Sequence, residues 1–364
     1  MTTATALRQQ QTEFDAGKAQ AFAGKLLGAL NNSALILMTS IGHRSGLFDA
    51  LAGVSPCTAV ELAAEADLAE RYVREWLAVM TTSGVVDYDP KRGTYLLPAE
   101  HAAFLTRAGA PNNIAVSAQM VGVASAVEDE ILARFKDGKG LHYHHYGRFH
   151  EVMGEHSAQA VAMNLIPHIL PLVEGSIGLL QKGIDVIDVG CGAGDALLLL
   201  AQQFPKSRFT GIDLCDDAFE VAAETAVRKG LTNLVFKEQD VSTVRSLGAF
   251  DLVLAFDAVH DQKDPQAMLT TVRHSLREGG VFLMADIDGS SKLENNISHP
   301  LGAYLYMMST MHCTPVSLAQ GGAGLGTMWG VELASEMLGR AGFGKVAMTR
   351  LPQNPFDAYF VARP

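Results

Sequence analysis

The sequence predicts an α/β fold with a largely parallel sheet, preceded by a mainly helical domain of winged-helix type. Three observations support this prediction. From about residue 179 onward, short apolar runs alternate with helical patterns, as in a parallel sheet covered by helices on both faces. The first apolar run leads directly into a glycine-rich turn. Residues 18–105 instead carry helical periodicity and one short hairpin pattern.

Seven apolar runs are candidate strands, and helical patterns separate the first five. The runs are Asp185–Val189, Arg208–Ile212, Leu234–Lys237, Leu252–Phe256, Val281–Ala285, Val346–Leu351 and Asp357–Ala362. In such a sheet, ligands bind beyond the carboxyl ends of the strands. We divide the chain into a winged-helix domain over residues 1–105, a helical connector and lid over 106–178, and the α/β domain over 179–364.

The front domain has the elements of a winged helix-turn-helix. They are a long helix over Ala21–Leu51 that breaks near Gly42 and Gly46, short helices over Cys57–Ala63 and Arg71–Met80, and a hairpin across residues 83–97. Thr58 is placed to cap the first short helix, and Glu61 three residues later completes a capping box.

Winged-helix domains suggest DNA binding, but the charge of this chain argues against it. The second short helix offers Arg71 and Arg74, which Glu70 and Glu75 balance, and the net charge of the chain is −11. No Lys/Arg block supplies the basic stripe that nucleic-acid binding requires. We therefore expect no nucleic-acid partner. The long apolar first helix favours a homodimer formed through this domain.

The composition indicates a cytoplasmic protein. The four cysteines lie far apart without a C-x-x-C pair, so free thiols in a reducing compartment are expected. Residues 1–20 are polar and lack the apolar core of a signal peptide. We find no apolar run of membrane-spanning length and expect no membrane partner.

The connector holds six of the twelve histidines. Three of them, His142, His144 and His145, flank Tyr143 in a segment without the i, i+4 spacing of a helical ligand pair. We therefore expect no metal here. A lid over a pocket is favoured, with His144 as a substrate contact and a hinge across residues 138–140.

The stretch Val186–Gly194 is the most informative part of the sequence. It runs from an apolar strand into Gly190, Gly192 and Gly194. The dinucleotide fingerprint G-x-G-x-x-G requires its third glycine three residues after the second, whereas here it comes after two. The spacing therefore argues against NAD.

Two acids after the following strands favour S-adenosylmethionine (SAM) instead. Asp213 can accept hydrogen bonds from both ribose hydroxyls, and Asp240 can accept one from the adenine amino group, with Leu214 and Val241 as apolar walls. The helix that begins after Gly194 favours a carboxylate at its N-terminus. The predicted cofactor-binding residues are Asp188, Gly190, Gly192, Gly194, Asp213, Leu214, Asp240, Val241, Phe256 and Asp257.

These motifs resemble the motif series of class I SAM-dependent methyltransferases. Together with the Arg277–Gly280 turn, they imply a Rossmann-like domain with a seven-stranded sheet. The winged-helix front and His260 with Asp261 are similar to the two-domain small-molecule O-methyltransferases of the plant caffeate and bacterial antibiotic type. The segments Asp257–Gln262 and Met308–Cys313 are similar to a mycobacterial and proteobacterial branch.

The resemblance implies that His260 is the general base that deprotonates an acceptor hydroxyl. Gln262 stands where the family's His-Asp-Trp motif has tryptophan. The carboxylates that flank the family's base have no clear counterpart, although Asp261 is adjacent and Glu332 or Asp288 could approach. The acceptor atom stays open, since S-, N- or C-methyl transfer needs no such base. A SAM-binding regulator with a degenerate winged helix, and an RNA or protein methyltransferase, are further alternatives.

Substrate recognition is assigned to the segment after the fifth strand. Its residues repeat at spacings of three and four and so share one helical face. They are Tyr304, Met307, Met308, Met311 and His312. The glycine run at residues 321–326 is interpreted as a mobile loop near the pocket, not as a phosphate cradle.

Overall fold

The computed structural model describes residues 14–54 and 56–364. Most of the polar segment 1–20, where we predict no signal peptide, lies outside the described residues. The chain divides into two compact units, with the division between Gly109 and Ala110. The predicted connector, residues 106–178, falls almost entirely in the second unit, and the three-part division stays a prediction.

The first unit has the predicted winged-helix elements. They are α1 (Ala16–Arg44), α2 (Leu47–Val54), α3 (Ala59–Glu65), α4 (Glu70–Thr82), β1 (Asp87–Asp89), β2 (Thr94–Leu96) and α5 (Ala99–Leu105). The capping box is confirmed. The hydroxyl of Thr58 accepts from the backbone N–H of Glu61 at 3.2 Å, and the Glu61 carboxylate accepts from the backbone N–H of Thr58 at 2.7 Å. β1 and β2 pair antiparallel as the wing.

Only one of the two glycines expected to break the first helix does so. Gly46 lies between α1 and α2 with a φ of +74°. Gly42 lies inside α1, and a Cβ there would approach ring carbons of Trp76 at 2.6 Å and Phe48 at 2.8 Å. This glycine therefore serves packing, because it lets two aromatic rings press against the helix backbone.

The expectation that no segment reaches membrane-spanning length is wrong. α1 has 29 residues, and by length and composition it could cross a membrane. The expectation rests on uninterrupted apolar runs, and Asn31, Asn32 and Ser33 interrupt the run in α1. The mean hydropathy of an 18-residue stretch that includes them is nevertheless 1.3. None of the residues in that stretch is buried.

The second unit begins with a set of helices. Those before the sheet are α6 (Ala115–Ser125), α7 (Glu128–Asp137), α8 (Phe149–Ser157) and α9 (Ser176–Lys182). Those within and after it are α10 (Asp195–Gln203), α11 (Asp216–Arg228), α12 (Pro265–His274), α13 (Leu293–Asn296), α14 (Gly302–Met308), α15 (Thr314–Ala319) and α16 (Gly330–Arg340). A π-helical turn, Ser309–Cys313, links α14 to α15.

The sheet confirms all seven predicted strands. They are β3 (Asp185–Val189), β4 (Arg208–Asp213), β5 (Leu234–Glu238), β6 (Phe250–Phe256), β7 (Leu276–Ile287), β8 (Lys345–Leu351) and β9 (Asn354–Arg363). Their order is β5-β4-β3-β6-β7-β9-β8. The first five are parallel, whereas β9 pairs antiparallel with both β7 and β8, so the sheet is mixed.

The strand order reverses between β3 and β6, which creates a topological switch point. From β3 the chain adds β4 and β5 on one side, then returns to place β6 and β7 on the other. Both faces of the sheet are buried: Ile187 and Val253 belong to one core, and Val186 and Leu252 to the other. A crevice at the carboxyl ends of β3 and β6 is the expected position for a ligand.

The predicted hinge across residues 138–140 is closely packed. Gly138, with a φ of +67°, ends α7 in the left-handed conformation. A Cβ on Gly140 would lie 1.9 Å from the backbone nitrogen of Ala319, and Leu141 donates a backbone hydrogen bond to Pro315 at 2.9 Å. The glycines therefore allow a helix stop and a close backbone approach.

Candidate functional site

The glycine turn follows β3 at the switch point. The backbone N–H groups of Gly190 and Cys191 both donate to the carbonyl of Ile212, at 2.8 and 3.0 Å, which ties the turn to β4. Gly194 has a φ of +73°, and a Cβ there would lie 2.8 Å from the ring of Phe236. Only glycine fits this position, from which α10 begins.

Asp213 at the end of β4 is held by this turn. One carboxylate oxygen accepts from the backbone N–H of Gly192 at 2.9 Å, and the other accepts from Cys215 at 3.1 Å. Since each carboxylate oxygen has a second lone pair, both can still accept a hydroxyl. The turn thus holds the Asp213 carboxylate in place and leaves an acceptor site on each of its oxygens.

Asp188 is buried under the same turn. Its side chain is 2% exposed, and its Oδ1 has no hydrogen-bond partner. Burial raises the pKa of Asp188 to about 7, and the nearby Asp213 carboxylate adds to the effect. A buried acceptor without a donor is a place where a ligand's donor or cation would be stabilising.

The three residues of the predicted adenine end have different surroundings. Asp240 caps a short 3₁₀ turn, accepting from the backbone N–H of Ser242 at 2.9 Å and from its hydroxyl at 2.6 Å, both through Oδ1. Val241 is 4% exposed and belongs to the sheet core, whereas Leu214 is 37% exposed. Asp240 therefore has a structural role beside any role in binding.

The end of β6 lies directly against the glycine turn. A Cβ on Gly190 would be 2.4 Å from that of Ala258. Phe256 ends the strand, and Asp257 follows with a φ of +53°, in the left-handed region. The pKa of Asp257 is raised to about 7, mainly by burial. The nearby His260 acts to lower this pKa, and the Asp286 carboxylate acts to raise it.

His260 is buried in a network of carboxylates. Its Nδ1 donates to Oδ1 of Asp286 at 2.8 Å, and that oxygen also accepts from Trp329 Nε1 and the backbone of Ile287, each at 2.9 Å. Its Nε2 lies 3.3 Å from Oδ1 of Asp261. Burial opposes a charged ring, but Asp286 and Asp261 outweigh it and raise the pKa of His260 well above its ordinary value.

The carboxylate that orients His260 is one that the sequence did not reveal. Neither of the suggested residues, Glu332 and Asp288, takes this position. Glu332 accepts from Ser290 and from the backbone of Ser291, and Asp288 pairs with Arg350. Asp286 takes the position because it lies near the carboxyl end of β7, which is paired with β6.

An aromatic cluster, formed by Tyr143, Tyr146, Phe149 and His312, adjoins His260. Phe149 stacks on His312 with ring centroids 3.7 Å apart, and both tyrosines contact His312 edge-on. The hydroxyl of Tyr146 donates to the carbonyl of Met311 at 2.6 Å. Burial lowers the pKa of His312 to about 4, so this ring is neutral.

Tyr143 lies between the two halves of the site. Burial raises its pKa well above the ordinary value, and Asp261 and Asp213 both add to the rise. The phenol therefore stays protonated and is a hydrogen-bond donor near both Asp213 and the aromatic cluster. His144, a predicted substrate contact, is exposed, stacks on His142 and is tilted against His145, and its role in binding stays a prediction.

The predicted substrate helix does bring its residues to this cluster. Tyr304, Met307 and Met311 are partly buried against the core that contains Met308 and Tyr146. Burial raises the pKa of Tyr304 to about 12, with Cys313 and Asp257 adding to it. The π turn places His312 and Cys313 inside the site, and such turns are common at functional sites.

The glycine run at residues 321–326 is tied down, contrary to the interpretation as a mobile loop. Gly322 donates to the carbonyl of Ser317 at 2.9 Å, and Ala323 to that of Lys263 at 3.0 Å. A Cβ on Gly326 would lie 2.2 Å from the Ser309 hydroxyl. The glycines allow the loop to pack closely against the helices around it.

Five residues of the site were missed by sequence reasoning. Tyr143 and Tyr146 stand in the histidine-rich connector that the sequence predicts as a lid, so the aromatic residues between the histidines are the signal that could have found them. Phe149 is in the same segment. Asp286 and Trp329 carry no local motif, since only the fold brings them to His260.

Two family matches agree with the two parts of the structure. Residues 33–107 match the Rv2258c-like winged HTH domain, and residues 180–328 match a methyltransferase domain. The chain joins a winged-helix domain to a methyltransferase domain. The Rossmann-like seven-stranded fold expected for the methyltransferase domain is confirmed.

Curated relatives align with only part of this chain. Methyltransferase ungE' of Aspergillus campestris is 39% identical over 80 residues, which are 21% of this chain and 23% of that protein. Ribosomal RNA small subunit methyltransferase C of Shigella flexneri serotype 5b is 32% identical over 135 residues, 34% of this chain and 38% of that protein. The chain thus spans well under half the length of these relatives.

Solved structures resemble the chain over nearly its whole length. Human N-acetylserotonin methyltransferase in complex with SAM gives a TM-score of 0.67 at 16% identity, covering 97% of this chain and 99% of that one. An O-methyltransferase family protein from Burkholderia thailandensis gives 0.65 at 15% identity, covering 94% and 97%. At these identities the likeness establishes the fold of the winged-helix and methyltransferase domains.

Proposed function

We propose that this protein transfers a methyl group from SAM to a small-molecule acceptor. The observation that carries the proposal is the meeting of two half-sites at the switch point: a glycine turn with a fixed Asp213, and a buried His260 beside an aromatic cluster. The solved neighbours include a methyltransferase in complex with SAM, which supports the same cofactor here.

The residues of the first half-site fit SAM. Asp213 offers acceptors for two ribose hydroxyls, and α10 offers its N-terminus to a carboxylate. The unpartnered Oδ1 of Asp188 is an acceptor for a donor or cation of the ligand. When bound, SAM supplies an activated methyl group on a sulfonium, so the main task of the protein is to orient the acceptor, which contributes about 7–11 kcal/mol.

A hydroxyl acceptor is favoured, with His260 as the general base. Nδ1–H of His260 donates a hydrogen bond to Asp286. This leaves Nε2 as the ring nitrogen that can take the proton of the acceptor hydroxyl. Because only the deprotonated ring can act as a base and the pKa of His260 is raised well above its ordinary value, the rate should rise with pH. An S-, N- or C-acceptor would not need this step and is the alternative.

The cofactor assignment is tested by titration calorimetry with SAM and with NAD. Wild-type protein should bind SAM and not NAD. Asp213→Ala should weaken SAM binding by about 10-fold or more, since hydrogen bonds to a charged group are worth about 1.5–3 kcal/mol each. Glu220→Ala, which removes an exposed carboxylate from the helix after the same strand, is the matched control. Unchanged SAM affinity in Asp213→Ala would remove the ribose contact assigned to Asp213, whereas failure of the wild-type protein to bind SAM would overturn the cofactor assignment.

We further propose a cytoplasmic homodimer formed through the N-terminal unit. Apolar side chains along α1 are exposed at helical spacing, which an interface would cover: Phe22, Leu26, Leu30, Leu37 and Ile41. The four free thiols fit a reducing compartment.

A nucleic-acid partner is not part of the proposal. Arg71 pairs with Glu75, and Arg74 pairs with Glu70, all on α4. The helix that would enter a DNA groove therefore presents balanced charge, which disfavours a DNA-binding regulator. Gel retardation at low salt, where electrostatic binding is strongest, is the direct check on that alternative.

A further inference from the structure

Three potential metal-binding side chains meet beside the aromatic cluster. They are one histidine, one carboxylate and one thiol, His260, Asp261 and Cys313, whose ligand atoms all lie within 4.8 Å of one another. Nε2 of His260 lies 3.3 Å from Oδ1 of Asp261. His312 adjoins the group, with its Nδ1 3.9 Å from the other oxygen of Asp261 and 3.8 Å from Sγ of Cys313.

This group suits a zinc site with three protein ligands and one open position. Ligand atoms at about 2.0–2.3 Å from zinc in tetrahedral geometry are about 3.3–3.8 Å from one another. Nitrogen, oxygen and sulfur together form a ligand set that zinc accepts readily. The group is also suitably placed, since His260 and Cys313 are buried and Asp261 is largely so.

The surroundings provide the outer partners that such ligands require. Asp286 accepts from Nδ1 of His260, which leaves Nε2 for a metal and forms a carboxylate–histidine pair. The hydroxyl of Thr327 donates to Sγ of Cys313 at 3.0 Å, a contact that would stabilise a thiolate. Oδ1 of Asp261 is buried and has no hydrogen-bond partner.

We propose that His260, Asp261 and Cys313 bind one zinc ion, and that this ion inhibits methyl transfer. Coordination uses the Nε2 lone pair that the proposed base needs, and it releases the thiol proton of Cys313, together with any proton held on Nε2, to solvent. Metal binding stands independently of the proposed function, whereas inhibition rests on it. The sequence did not predict this site, and we had expected no metal.

The test uses Co²⁺ as a spectroscopic substitute for zinc on the full chain. Wild-type protein should show tetrahedral Co²⁺ absorption and a thiolate-to-metal charge-transfer band, both abolished by added Zn²⁺. Cys313→Ser should lose the thiolate band. Thr327→Val, a variant of similar shape, should keep the band and bind Co²⁺ about 10–100-fold more weakly.

Cys215→Ser is the matched control, because Cys215 belongs to another candidate group with His150 and Asp217. It should keep the band. Absence of the band in wild-type protein, or its loss in Cys215→Ser with retention in Cys313→Ser, would overturn the site. Zinc inhibition is then measured against each variant's own metal-free rate, and it should vanish in Cys313→Ser. If no acceptor is ever methylated, the proposed function fails while the spectra still decide the metal site.

Discussion

Replacing His260 by alanine should slow methyl transfer to a hydroxyl acceptor by about 10²–10⁴-fold, the usual contribution of a general base. The affinity for SAM should hardly change, because His260 follows β6, whereas the acid assigned to the ribose, Asp213, ends β4. Turnover is measured under saturating SAM, and SAM affinity by calorimetry. Unchanged turnover would exclude His260 as the base and favour a sulfur, nitrogen or carbon acceptor.

The substitution Asp286→Asn tests whether Asp286 acts by raising the pKa of His260 or only by packing against it. The amide keeps the shape of the carboxylate but removes the charge that most strongly raises the pKa of His260. The pKa should fall, and the rising limb of the pH–rate profile should move to lower pH. A lower rate with an unmoved profile would assign Asp286 a structural role only.

At the scale of single residues, the sequence identified the acids and glycines that follow strands, because each stands in a local motif. Asp213 does end β4, and the structure adds that it accepts a hydrogen bond from the backbone of Gly192. The sequence could not identify Asp286 or Tyr143, since their proximity to His260 and Asp213 depends on strand pairing and on the path of the connector. His144 shows the converse: a suggestive neighbour in sequence whose side chain is exposed.

At the scale of elements, two glycines of α1 should respond oppositely to substitution. Gly42→Ala should destabilise the first unit by about 1–3 kcal/mol, because the new methyl group overlaps Trp76 and Phe48. Gly28→Ala, where nothing lies within 4 Å, should stabilise the helix by about 0.5–1 kcal/mol. Thermal unfolding of both variants checks this, and equal stabilities would refute the packing role of Gly42.

The strands were predictable because buried strands of a doubly covered sheet are continuous apolar runs. β3 matches its prediction from Asp185 to Val189. The direction of the strands was harder to predict from the sequence. β8 and β9 form a hairpin, and only the strand pairing shows that β9 runs antiparallel to β7. The sequence did not reveal the π turn at Ser309–Cys313. Such a turn adds only one residue to a helical turn, so the spacing of three and four hardly changes.

At the scale of the whole molecule, α1 raises a choice between a partner chain and a membrane. A membrane span is apolar all round, whereas Asn31, Asn32 and Ser33 lie in the middle of α1. Its exposed large side chains instead form a stripe that includes Leu26, 52% exposed, and Leu30, 67% exposed. A stripe on an otherwise mixed helix is what an interface with a second copy requires.

Leu30→Glu should therefore dissociate the proposed dimer, because a charge buried in an interface without a partner costs several kcal/mol. Val221→Glu, on α11 and 73% exposed, is the matched control and should leave the dimer intact. Sedimentation at several concentrations gives the molecular mass of each variant. A wild-type chain that remains monomeric would contradict the dimer, and one that in addition floats with liposomes would assign the apolar stripe to a membrane surface.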